Sequence, residues 1–380
     1  MSNHAILSPS AAKRWLTCTR APRLEAQFEN KTSVYAQEGT LAHEVAALTV
    51  EYYLGRVTDD EFEFRLEKLS KDELYSNEMK FHAEEYASII MDKVKNLINP
   101  DVIVETKVDI SMYAPECFGT ADCIIISDGV LEVIDYKYGQ GVEVSAKDNP
   151  QMKLYALGAI EKYYLLYDFD AVKMTIVQPR KNGISEDSLT VIQLLDWGNL
   201  TVRPKAIQAF EGKGRFYPDP EACRFCRASA VCSARAKKNL GIAKFKSDTM
   251  THDELGQVLA KAKDLAQWIK DMETEVFEAL QTGEEIKGWK LVRGRSLRKY
   301  TDDSKVIERL RESNRLEEDI FDTKLKSVSA LEKAIGKKEV AELIGDLIEK
   351  PEGAPTLAPE DDKREAINVK ETLLKVFDEK

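Results

Sequence analysis

An α/β fold is what this chain predicts, on three observations. Runs rich in β-branched residues fall at 102–110 (VIVETKVDI), 121–127 (ADCIIIS), 130–138 (VLEVIDYKY) and 174–180 (MTIVQPR). Helical patterning precedes the first run and lies between the last two. With 43% hydrophobic content, 380 residues can bury a sizeable core, spread over two or three domains.

The elements follow in order. Ser8, Pro9 and Ser10 form a capped start to a helix within 8–30 that carries Trp15 and Cys18. A second helix is expected from about Gly39 to Leu54, then a charged helical stretch to about Asn96. Asp128-Gly129 between two apolar strands signals a two-residue type I′ turn. That turn sets a register: Ser127 opposite Val130, Ile126 opposite Leu131, Ile124 opposite Val133 and Asp122 opposite Asp135. Asn149 as N-cap and Pro150 at the first helical position then open the helix NPQMKLYALGAIEKYYLLY. Past residue 240 the texture changes to long charged amphipathic helices at 253–281, 303–316 and 328–349. A small basic hairpin at about 285–300 interrupts them, and a Pro-rich extended arm at about 350–367 precedes a last short helix. The expected domains are therefore 1–240 and 241–380.

Composition excludes several classes. A formal net charge of −11 argues against a uniformly basic nucleic-acid coat while allowing local basic patches. The N-terminus MSNHAILSPSAAKRW lacks a secretory apolar run, and no segment approaches the roughly 18–20 apolar residues of a membrane span. A cytoplasmic protein without membrane partners is expected. Six cysteines are too few for a disulfide scaffold, so a cluster of them is read first as metal ligands.

The hairpin register brings Asp122 and Asp135 side by side on one face of the sheet, with Lys137 projecting from the same face two residues on. Like charges so paired call for an offset, and a divalent cation is the usual one. Two carboxylates and an ammonium suit an activated water and a stabilised phosphate. A plain Asp–Lys ion pair at a solvated strand end is the alternative. Glu105, on the strand before the hairpin, is a candidate accessory acid.

Gly119-Thr-Ala-Asp122, Ile134-Asp135-Tyr136-Lys137, and Gln151 with Tyr155 at helical spacing resemble the PD-(D/E)XK nuclease superfamily, specifically its RecB-like branch. Gly39-Thr-Leu-Ala-His43 fits that branch's upstream G-x-x-x-H pattern. The resemblance implies a restriction-endonuclease-like core, a mixed sheet flanked by helices, joined to a mainly helical C-terminal domain. It implies Mg²⁺ or Mn²⁺ bound by His43, Asp122, Asp135 and the Tyr136 backbone carbonyl, with Lys137 as catalytic lysine and Gln151 and Tyr155 beside it. Asp135 stands where many members carry Glu, a variation common in the RecB branch.

Cys223-Arg-Phe-Cys226-Arg-Ala-Ser-Ala-Val-Cys232 is C-x2-C-x5-C, three soft ligands in need of a fourth. Cys18, Cys117 and Cys123 are the candidates; Cys123 faces away from Asp122 in an apolar strand, and Cys117 precedes the Gly119 turn. An early lone cysteine with a late triplet resembles the iron–sulfur nucleases of the same branch, among them the AddB subunit of helicase–nucleases and the CRISPR-adaptation nuclease. The resemblance implies a structural [4Fe–4S] cluster on Cys18, Cys223, Cys226 and Cys232; zinc on the same ligands is the alternative.

Residues 213–238 carry seven basic residues against Asp219 and Glu221, so Arg224, Arg227 and Arg235 are candidate phosphate contacts. Arg293, Arg295 and Arg298 beside Trp289 form a second candidate patch for nucleic acid. The stretch 330–367 resembles the tail of an uncharacterised phage and prophage family with a RecB-like core. Together the resemblances imply a metal-dependent deoxyribonuclease, an exonuclease acting in phage recombination, repair or replication inside a bacterial host. Single-stranded DNA or duplex ends, and a phage single-strand-binding, recombination or replication protein, are the implied partners. No G-x-x-x-x-G-K-[ST] motor motif occurs in the chain. The alternative is a non-catalytic DNA-end or replication-partner binding protein on a nuclease scaffold.

Overall fold

The computed structural model describes residues 5–30, 33–181, 183–241 and 251–290, with 336 and 338. The chain divides into two compact units, Met1–Thr282 and Gly283–Lys380. The expected boundary near 240 is thus too early. The reason is α11 (His252–Gln281), which packs on α10 (Ser233–Leu240) and belongs to the first unit. The expected helices at 303–316 and 328–349, the arm at 350–367, most of the hairpin at 285–300, and Arg293, Arg295 and Arg298 lie outside the described residues.

The first unit is built on a five-stranded sheet in the order β1-β2-β3-β4-β5. The strands are β1 (Asp101–Asp109), β2 (Phe118–Ser127), β3 (Val130–Tyr136), β4 (Ala171–Gln178) and β5 (Gly183–Thr190). All neighbours are antiparallel except β3 and β4, so the sheet is mixed. The parallel pair requires a crossover, and α6 (Pro150–Tyr163) supplies it. As expected, Asn149 caps α6, its side chain accepting the Gln151 and Met152 N–H groups. The β2–β3 turn also follows expectation: Asp128 and Gly129 have φ of 49° and 73°, and Ser127, Ile126 and Ile124 pair with Val130, Leu131 and Val133.

Each sheet face has its own core. Against one face pack α3 (Val34–Tyr53) and α5 (Asn77–Val94), burying Val45, Tyr86 and Ile90 on Cys123, Ile125 and Ile134. Against the other pack α6 and α1 (Ala12–Thr17), with Trp15, Leu154 and Leu157 on Ile124, Val133 and Ile176. The helix expected from Gly39 begins earlier, because Ser33 caps it by accepting the Ala36 N–H. The charged stretch after it is two helices, α4 (Asp59–Leu69) and α5. Strand β5 and the helices α7 (Val191–Trp197) and α8 (Arg203–Glu211), joined by a π-helical turn at Gly198–Val202, are not apparent in the sequence pattern. Short helices α2 (Ala21–Glu25) and α9 (Pro220–Arg224) complete the unit. Among the described residues no helix is long and apolar enough to cross a membrane.

Candidate functional site

The register places Glu105, Asp122 and Asp135 at consecutive positions across β1, β2 and β3. Glu105 lies between the pairs Val104↔Cys123 and Thr106↔Ala121, and the β2–β3 ladder ends at Cys123↔Ile134, one step short of Asp122 and Asp135. The ladder breaks where the acids meet. Asp122 Oδ2 accepts the Tyr136 N–H at 2.7 Å, taking the place of a cross-strand carbonyl. Glu105 has a φ of 49°, a left-handed conformation unfavourable for a residue with a Cβ. Such strain inside a strand persists only where the surroundings enforce it.

From the α3 side, His43 Nδ1 lies 3.2 Å from Asp122 Oδ1, and its ring meets Tyr136 edge-on at 5.6 Å. His43, Glu105 and Asp122 each offer a ligand atom within 4.8 Å of the others. Gly39, one turn before His43, has open space where a Cβ would stand.

The opposite helical layer supplies α6. Gln151 Nε2 donates to Asp135 Oδ1 at 3.2 Å and to the Tyr155 hydroxyl at 3.5 Å, while its Oε1 accepts from Lys137 Nζ at 3.5 Å. Lys137 Nζ sits 2.9 Å from Asp135 Oδ2. The carboxylate of Asp135 therefore faces Lys137 and Gln151, and the third member of the tight trio is Glu105. Gly119 makes room for this: a Cβ there would lie 2.8 Å from the Tyr155 ring and 3.1 Å from Pro9.

Electrostatics follow from burial against pairing. Burial opposes the His43 cation, but Asp122 outweighs it and raises the pKa. Lys137 is raised in the same way, burial opposing and Asp135 with Asp122 prevailing. Burial lifts the Asp135 carboxyl against the opposing pull of Lys137, with Asp122 adding to the lift. Glu105 is exposed overall, yet crowding around its carboxyl and the charge of Asp122 push it up to about 7.

The donor set fits a hard divalent cation: imidazole nitrogen and carboxylate oxygens suit Mg²⁺ or Mn²⁺. Asp135 Oδ2 is buried and has the Lys137 ammonium, 2.9 Å away, as its ion-pair partner.

Cys18, Cys223, Cys226 and Cys232 line a second, small cavity of about 20 Å³, walled by Ala21, Leu24, Phe216, Pro218 and Ala222. Cys18, at the C-terminus of α1, accepts the Tyr217 N–H at 3.4 Å. Burial pushes the Cys226 thiol up to about 12 and raises Cys223 as well. The thiols do not crowd: among the described residues, His43–Glu105–Asp122 is the trio of possible ligands that meets within 4.8 Å. Cys117 and Cys123 are fully buried in the two cores. The four sulfurs fit a group that wants soft thiolates in an apolar wall.

The candidate phosphate contacts divide. Arg224 and Arg227 are exposed. Arg235 is not a phosphate contact: it is 1% exposed, with Nη1 2.6 Å from Asp271 and Nη2 3.0 Å from Asp264, both on α11. Its place in a run of surface cations concealed this, and the acidic pair on α11, seven residues apart, is the signal that could have revealed it.

Residues 4–365 match the family described as protein of unknown function (DUF2800). The Gene 69 protein of Mycobacterium phage L5 is 28% identical over 143 residues, which make up 36% of this chain and 47% of that protein, so the match spans about half its length. The crystal structure of SSO0001 aligns over 59% of this chain and 96% of its own, at 12% identity and a TM-score of 0.23, too low for a shared fold to be drawn from it.

Proposed function

The chain belongs to the DUF2800 family, and from that premise and the site's geometry we propose that it is a metal-dependent DNA nuclease of the RecB-like PD-(D/E)XK kind. Phage DNA recombination, repair or replication is its setting, and phosphodiester bonds near DNA ends are its substrate. One observation carries the reading: His43, Glu105 and Asp122 converge within 4.8 Å at the end of the sheet where Asp135, Lys137 and Gln151 also meet.

His43, Glu105 and Asp122 would hold the ion, with Asp135 next in the row and the Tyr136 carbonyl as the further ligand that the resemblance implies. A Mg²⁺ or Mn²⁺ ion bound there supplies Lewis acidity and water of lowered pKa. The chain's own residues do the rest. The Lys137 ammonium, kept charged by Asp135 and Asp122, donates to oxygens of the scissile phosphate as negative charge builds there. Gln151 bridges Lys137 and Asp135 and fixes their separation. Glu105, whose carboxyl stands beside Asp122, would be held as a charged ligand by the ion and completes the acid row.

For the cysteines we propose a structural [4Fe–4S] cluster that ties the N-terminal helix α1 to the segment 223–232. What supports the reading is that all four cysteines line one small cavity, as the resemblance implies; zinc on the same ligands is the alternative. Iron and sulfide analysis, with visible absorption of anaerobically purified protein, tests this; zinc with no iron would overturn it.

The functional test is cleavage of end-labelled DNA in Mn²⁺. Asp122→Ala and Asp135→Ala are each expected to lose at least ~100-fold in rate. Full activity in either variant would remove the acid row from the mechanism.

A further inference from the structure

The cleft that holds Lys137 and Gln151 has a far wall. It encloses about 470 Å³, within the ~300–1,000 Å³ of ligand sites, and runs past Lys13 and Lys147 to Arg14, Arg224 and Phe225. Phe225 stands between Cys223 and Cys226, yet it is 66% exposed. Single exposed apolar side chains are ordinary on a protein surface, so what distinguishes this ring is its place on the wall of the cleft beside Arg224.

The ring's backbone is held in place. Arg14 Nη1 donates to the Phe225 carbonyl at 3.0 Å, and Arg14 Nε donates to buried Glu25 at 2.8 Å. The other Glu25 oxygen accepts the Arg227 N–H at 3.0 Å. Arg14 lines both the cysteine cavity and the cleft, so one side chain links the two. The Arg224 guanidinium lies 5.6 Å from the Phe225 ring centroid. Of the three acidic groups on the walls, Glu221 pairs with Lys13 and Asp148 with Lys153, and Glu143 is the third. A held aromatic face flanked by cations suits an unpaired base and its phosphates, because every base has a π-face and a strand carries its charge alongside. Bases stacked within a duplex cannot offer that face.

We propose that Phe225 is a base-stacking shelf for a single DNA strand, positioned by the Arg14–Glu25 pair, on the path to Lys137. The direction of that path rests on the nuclease reading; the binding does not.

The test is fluorescence anisotropy in EDTA, where nothing is cut, with three labelled probes: a mixed-sequence oligodeoxynucleotide, an abasic strand of equal length, and a blunt duplex. Wild type is expected to bind the base-bearing strand about tenfold or more tighter than the abasic strand. Phe225→Ala should abolish that preference while leaving abasic binding unchanged. Phe225→Trp should keep it, with indole emission quenched by the base-bearing strand and not by the abasic one. Equal wild-type affinity for the two strands, a full preference in Phe225→Ala, tighter binding of the duplex, or no binding to any strand would each overturn the proposal. Failure of the nuclease reading looks different: the base preference survives, and Mn²⁺ brings no cleavage.

Discussion

Asp122 is shared between two partners, its Oδ2 with the Tyr136 N–H and its Oδ1 with His43, and its charge also reaches Glu105, Asp135 and Lys137. Raised pKa values at this cluster make a pH prediction. Glu105 rises to about 7 from an ordinary value near 4.5, so its contribution to stability is fully present below about 4.5 and is lost as pH climbs through about 7. His43 is also raised, and its contribution is likewise lost as pH climbs through its folded pKa. Thermal melts in EDTA should therefore show the protein losing stability from pH 5 to pH 8, with Glu105→Gln flattening the fall. A flat wild-type profile would contradict this. Most of these residues were legible because the hairpin register and the His43 pattern place them. Glu105 was legible only as a candidate accessory acid; its left-handed backbone and its place beside Asp122 leave no trace in the pattern VIVETKVDI.

At the scale of elements, close approach between α6 and β1 decides where Gln151 and Tyr155 stand. A Cβ on Gly158 would lie 2.8 Å from Ile110 Cγ1, 3.0 Å from Val108 Cβ and 3.1 Å from the Asp109 carbonyl. Alanine at that position gains at most ~1 kcal/mol in helix propensity. Overpacking against a strand costs ~1–3 kcal/mol, and two of the three neighbours are stiff. Gly158→Ala should therefore lower the denaturation midpoint; an unchanged or higher midpoint would mean that α6 can shift at no cost. The β2–β3 hairpin was readable because Asp-Gly demands one turn geometry. Strand β5 was not, since GISEDSLT is an edge strand whose residues are all partly or wholly exposed, held by its ladder with β4 and by Ser185 and Asp187 hydrogen bonds to the 145–148 segment. An edge strand needs no buried face, so hydrophobic alternation does not mark it.

Over the whole first unit, α11 is joined to the cysteine segment through Arg235, which bridges Asp264 and Asp271, and through Trp268, whose indole N–H donates to the Ala230 carbonyl at 3.1 Å. Removing this buried cation leaves Asp271 without its ion pair and Asp264 with only Lys238 at 3.9 Å, so Arg235→Ala should cost about 3 kcal/mol. Arg224→Ala, at an exposed site, should change stability little. Chemical denaturation of the two variants separates them, and equal stabilities would contradict the assignment. Charge composition could not distinguish these arginines, because burial depends on a helix that begins more than ten residues after the change in texture at 240. The central claim is that the acid row and Lys137 form a nuclease site, and one comparison tests it most directly. Wild type and Lys137→Ala are given end-labelled single- and double-stranded DNA with Mn²⁺ or with EDTA, while Mn²⁺ binding is measured on the same samples. The account predicts label release by wild type in Mn²⁺ alone, and a loss of ~100-fold or more in Lys137→Ala with metal binding retained. Wild type that binds Mn²⁺ and releases no label from either substrate, or Lys137→Ala that cuts as fast, would contradict it.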